Sequence, residues 1–300
     1  MSNNFSVYRI SLVTLLVTLL LIGLGGYVRQ SGAGLACPDW PGCYGQFAPP
    51  TQVEGTLIEM SHRWVASVVG FLTLALAIRA FQAKRVAPLT WRLAFVAGLT
   101  VVTQVILGAI VIAVELKPQI VTTHLFLAFV FSGLLVSIIH TEACRTGLLA
   151  PPPSPNNPHS PSWLMAGALL TLVVSLLGAF IGSAGAALGC ASWPLCNTSL
   201  FPTGDWKAWL GFTHRLLALA LVVLLASNTW RLRSNPPRRT ILKFAHWAAA
   251  LGFMQIGIGA LNPILLVPTA VAVAHLVAGA CIWLLMVAAY LDARHKPSLT

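Results

Sequence analysis

The chain has 300 residues, 57% of them hydrophobic and only 8% charged, where an ordinary soluble domain carries roughly 25% charged residues. Its net charge of +11 would suit a nucleic-acid binder, but the basic residues are spread over the ends of apolar runs, which excludes that reading. Several runs reach the roughly 20 residues a helix needs to cross a bilayer, and such lengths exclude a β-barrel, whose strands alternate over about 10 residues.

Eight spanning helices are predicted in chain order. The first, Ile10–Val28, is longer than the apolar core of a signal peptide and is followed by no clear small-residue cleavage site, so it reads as a structural helix. It leads into Ser31–Cys43, SGAGLACPDWPGC. The second, His62–Ile78, opens on His62-Arg63, three residues after Glu59. The third, Leu93–Val114, carries Gln104 and Gly108-Ala109, and the fourth, Gln119–His140, carries His124. Leu149–Pro161 has Pro at six positions and reads as a linker. The fifth helix is Trp163–Ile181, and a second cysteine loop follows it. The sixth, Trp209–Trp230, contains His214-Arg215. The seventh, Ile241–Leu261, carries Gln255 and Gly259-Ala260, and the eighth, Pro268–Leu291, carries His275.

The second four helices repeat the first four. Val28–Cys43 and Ile181–Cys196 share seven of sixteen residues at an offset of 153, and the His-Arg, Gln/Gly-Ala and His-Leu motifs recur at offsets of 151 or 152. Four helices per unit make both halves run the same way, a parallel repeat about an axis along the membrane normal. The expected fold is an all-α integral membrane protein of two four-helix bundles, residues 1–148 and 162–300, joined by a cytoplasmic linker at 149–161. With the N-terminus inside, thirteen Lys and Arg lie on the inner side and five on the outer, which places both termini in the cytoplasm and both cysteine loops outside.

The outer compartment permits disulfides, and Cys37/Cys43 and Cys190/Cys196 are two C-x5-C pairs. Bridges bracing the loops and a redox-active role are both open readings. The spacing does not suit a common zinc site, and Cys144 and Cys281 lack partners of this kind. Of eight histidines, His140, His159, His246 and His295 lie at inner ends or in polar segments, where solvated or structural roles suffice. His62, His124, His214 and His275 each lie near the outer end of an even-numbered helix, two per half. Ionisable groups inside a membrane are costly and mark function, and two facing imidazoles inside a bundle can hold a heme iron. Gly23, Gly25, Gly26, Gly108, Gly178, Gly257 and Gly259 either let helices approach closely or leave room for a flat macrocycle. The halves differ at two points, because Glu59 matches Gly211 and Arg29 matches Gly182. That asymmetry assigns chemistry to the first half and a structural or electron-transfer heme to the second. Arg63 and Arg215 flank their histidines and are candidate partners of heme propionates, as is Arg29.

Gly25-Gly26-Tyr27-Val28-Arg29, Ser31–Cys43, Glu59-x-x-His62-Arg63 and the three further histidines together resemble the heme A synthase family in its bacterial, cysteine-containing form. The resemblance covers nearly the whole chain. It implies a multi-pass protein of the bacterial cytoplasmic membrane that oxidises the C8 methyl group of heme O to the formyl group of heme A through an alcohol. It implies heme B on His214 and His275, substrate heme O on His62 and His124, and Glu59 as the acidic residue needed for oxidation. It gives Cys37 and Cys43 a redox or supporting role. Heme O synthase, a quinone or another electron-transfer partner, membrane lipid and a second copy of the chain are the partners it suggests. Two other classes compete: a di-heme b-type electron carrier linked to quinol, and a membrane thiol oxidoreductase. The Glu59/Gly211 difference favours an enzyme over a symmetric carrier, and a thiol oxidase leaves four histidines in repeat register unexplained.

Overall fold

The computed structural model describes residues 2–149, 161–197, 199–234 and 239–294. The interior of the proline-rich linker, Arg238, His159, His295 and Lys296 lie outside them. The described residues form eight long helices: α1 (Ser2–Gln30), α2 (Thr56–Gln82), α3 (Pro88–Ala113), α4 (Pro118–Arg145), α5 (Ser162–Ser183), α6 (Trp206–Ser234), α7 (Arg239–Ile264) and α8 (Thr269–Arg294). All eight are long and apolar enough to cross a membrane, and the protein is a multi-pass membrane protein. Pro88 and Pro118 open α3 and α4, where a missing N–H costs nothing. Basic residues close α1, α2, α4, α6 and α8, favourable against the helix dipole.

Observed helices extend past the expected bounds at most ends, and α2 does so with consequence. It starts at Thr56 and not at His62, so Glu59 lies in its first turn. The polar turn is stabilised by the cysteine loop folded over it, a contact that a hydropathy pattern does not contain.

In the first half α1 packs on α2 and α4, and α3 packs on both of those helices. In the second half α5 packs on α6 and α8, and α7 packs on both of those. The halves meet where α1 and α4 contact α8 and where α4 contacts α5. Ile22, Phe129 and Ala280 form a small core at this seam, and Trp283 Nε1 donates to the Phe129 carbonyl at 3.0 Å. At one end, Arg29 Nη2 donates to the Gly182 and Ser183 carbonyls at 2.9 and 3.1 Å, and Gln30 Nε2 to that of Val267 at 3.2 Å. The cysteine loops follow α1 and α5 at this end.

The larger cores fill the opposite end of each half. One includes Val7, Leu76, Ala94 and Leu135, the other Leu164, Leu225, Ile241 and Met286. Toward the cysteine loops packing thins out. No residue is buried over 61–68 of α2, 101–113 of α3, 118–128 of α4, 209–220 of α6 or 269–277 of α8. Those stretches contain the four histidines.

Candidate functional site

His62, His124, His214 and His275 each sit about two turns from the start of an even-numbered helix. Each ring faces a glycine on the helix before it. A Cβ on Gly25 would lie 3.0 Å from His62 Cε1, one on Gly178 3.0 Å from His214 Cε1, and one on Gly259 3.0 Å from His275 Cε1. Gly108 gives His124 more room, at 3.7 Å. Gly25, Gly178 and Gly259 therefore leave the room that the Cε1 corners of their rings occupy, and a larger residue there would displace the ring. Gly257 is different, since a Cβ there meets nothing within 4 Å.

The Nδ1 atom of all four rings is buried and has no hydrogen-bond partner among the described residues. Buried polar atoms are normally paired, so four orphans of one kind in one zone need an explanation. In the second half the two rings face one another, with centroids 6.4 Å apart and planes at 64°. No group of three or more His, Cys, Asp and Glu converges among the described residues.

The first cysteine loop is tied directly to α2. Cys37–Cys43 and Cys190–Cys196 are disulfide-bonded. Glu59 is 4% exposed and uses both carboxylate oxygens: Oε2 accepts the Cys37 N–H at 2.8 Å, and Oε1 pairs with Arg63 Nη2 at 2.5 Å. Arg63 Nη1 also donates to the carbonyls of Asp39 (2.8 Å), Pro41 (3.2 Å) and Gly42. Within the loop, Asp39 accepts the Tyr44 and Gly45 N–H groups, and the bond from Gly45 is the main reason its carboxyl lies below the usual range. Arg215 clamps the second loop in the same manner, donating to Cys190 (2.7 Å), Leu195 (3.1 Å) and Pro194 (3.3 Å). Among the described residues no carboxylate pairs with it. The matching residue, Gly211, has Cys190 Sγ 3.5 Å from where its Cβ would be.

The structure thus gathers Glu59, Arg63 and Cys37 into one group, one turn from His62. It gives Arg29, Arg63 and Arg215 backbone carbonyls as partners. Arg29 Nε remains buried without one. Among the other histidines, His140 Nε2 lies 3.7 Å from Asp292 Oδ1, and His246 Nδ1 lies 2.9 Å from Arg233 at the surface.

Sequence reasoning overlooked two buried acids at the opposite end. Glu142 accepts from Thr90 Oγ1 and pairs with Arg145, both at 2.5 Å, while Asp292 accepts from Thr240. The signal was available, because Thr90/Thr240 and Glu142/Asp292 each recur at an offset of 150.

Comparison with known proteins agrees with the motifs. The cytochrome oxidase assembly protein family matches residues 8–287. The heme A synthase of Symbiobacterium thermophilum is 33% identical over 264 residues, covering 85% of each chain. The heme A synthase of Shewanella oneidensis is 29% identical over 336 aligned positions, covering 96% of this chain and 97% of that one. The heme A synthase of Exiguobacterium sibiricum is 31% identical, covering 73% and 71%. With residues 8–287 matched and relatives covered over most of their length, the protein belongs to the heme A synthase family of cytochrome oxidase assembly proteins.

Proposed function

We propose that the chain is a heme A synthase, an oxidoreductase that converts the C8 methyl group of heme O to a formyl group through an alcohol. The observation that carries this reading is the set of four unpaired Nδ1 atoms on rings set against glycines, in the thinly packed stretches toward the cysteine loops. A porphyrin would suit such a zone, since imidazoles can hold its iron and glycines leave room beside it. In the second half, His214 and His275 would hold heme B. Their rings face one another with centroids 6.4 Å apart, so both could hold one group between them. Bound there, heme B supplies one-electron transfer.

His62 and His124 would hold heme O in the first half, residues 1–148, with residues 162–300 as the parallel-repeat heme B half. Glu59 is the residue that distinguishes the two. Arg63 and the Cys37 N–H fix its carboxylate one turn from His62. A preorganised negative charge there favours positive charge developing on the substrate carbon during oxidation. Arg63 and Arg215 hold the cysteine loops over the two sites. The loops lie outside the membrane and the termini in the cytoplasm, as the basic residues indicate.

Extraction and chromatography of hemes from cells that make heme O, with and without this protein, test the proposal. Heme A should appear only when the protein is present. Identical heme profiles would contradict it.

A further inference from the structure

Two glutamines stand one helical turn from the glycines that face the α4 and α8 histidines. Gln104 precedes Gly108 by four residues and Gln255 precedes Gly259 by four, so each shares its glycine's face. On both, the amide oxygen is buried without a hydrogen-bond partner. Their amide nitrogens differ. Gln255 Nε2 donates to the main-chain carbonyl of His275 at 2.6 Å. The Gln104 side chain hydrogen-bonds to none of the described residues.

A buried acceptor left unpaired is destabilising. For Gln255 the bond made by its nitrogen offsets that cost, and the oxygen's direction is fixed by it. Gln104 has no such bond, so its oxygen is available to a donor on the ligand of the first half. We infer that Gln104 is a specificity-determining residue whose amide oxygen accepts a hydrogen bond from a hydroxyl group of the substrate, selecting a hydroxyl-bearing heme over heme B. The inference rests on heme O being the ligand of that half. Heme O carries a hydroxyl at the root of its prenyl tail, and the alcohol intermediate carries another on the oxidised methyl group. Heme B has neither. A site that offers a buried acceptor for O–H rejects the analogue lacking it, because the acceptor stays desolvated and unpaired.

The test is a spectral titration of the purified full-length protein, its resident heme in place, with heme O, its C8 alcohol and heme B. The signal read is the absorbance change that His62→Ala abolishes. Wild type should bind heme O more tightly than heme B, with about tenfold of the difference due to one buried hydrogen bond and the rest to the apolar tail. Gln104→Met and Gln104→Leu should cut the preference about tenfold by weakening the hydroxyl-bearing ligand, with heme B affinity within about twofold of wild type. Gln255→Met should keep the preference. An unchanged resident-heme spectrum reports that each variant is folded. If the loss is seen with heme O, the donor is the tail hydroxyl; if only with the alcohol, it is the newly made one. Undiminished preference for both ligands in the two Gln104 variants overturns the inference. Absence of any His62-dependent signal with heme O in wild type overturns the substrate assignment, and the inference with it.

Discussion

Gly257 and Gly259 are two residues apart on α7 and face opposite ways, about 200° around the helix. The sequence offered both as small residues near a histidine, but only Gly259 touches the ring. Gly259→Val should displace His275 and lower resident heme several-fold, while Gly257→Val should leave it near wild type. Heme-to-protein ratios of the two purified variants check this, and equal losses would sink the role given to Gly259. Arg63 and Arg215 form another instructive pair, since both clamp a cysteine loop but only Arg63 neutralises a buried carboxylate. Stranding a buried charge costs about 3–5 kcal/mol, whereas the Arg215 bonds end on neutral carbonyls. Arg63→Ala should therefore lower the thermal unfolding temperature clearly more than Arg215→Ala. Equal shifts would mean that Glu59 finds another partner. The positions of Glu59 and Arg63 were legible in the sequence, but their hold on Cys37 and Asp39 was not. Those contacts join residues more than twenty positions apart through a loop whose path no periodicity encodes.

At the scale of the element, all eight helices were legible, because a bilayer demands about 20 apolar residues and the chain supplies them eight times. Their polar ends were not, since Thr56–Ser61 extends α2 beneath the cysteine loop, which packs on Met60 and bonds Glu59. The α3–α4 and α7–α8 turns show the opposite case, in which backbone geometry repeats where residues do not. Glu115-Leu116 and Leu266-Val267 all have φ between 54° and 59°, and each turn closes with an N–H reaching back five residues. The cysteine loops carry the topology. In intact cells a membrane-impermeant thiol reagent should label Cys37 or Cys190 only after reduction. Labelling from the cytoplasmic side alone would invert the orientation drawn from the basic residues.

Taken whole, α1–α4 and α5–α8 repeat one set of helix contacts but carry different equipment. Within each, a packed end supports an open end lined by two histidines and their glycines. Arg29 and Trp283 bind the halves together through backbone carbonyls of the other half. The repeat itself was visible as constant offsets, and so were the histidine pairs. How the histidine helices pack on their neighbours depends on α4 and α8 meeting at the seam, which sequence offsets do not specify. On this division, His124→Ala should impair product formation and leave the spectrum of the second-half heme largely intact, and His275→Ala should remove that spectrum. The most direct test is the heme inventory of purified Glu59→Ala protein from cells that make heme O, identified and quantified in one preparation. Heme B at wild-type stoichiometry, with heme O or its alcohol accumulated and heme A absent, is the result that places the chemistry in the first half. Normal heme A together with lost heme B would contradict it.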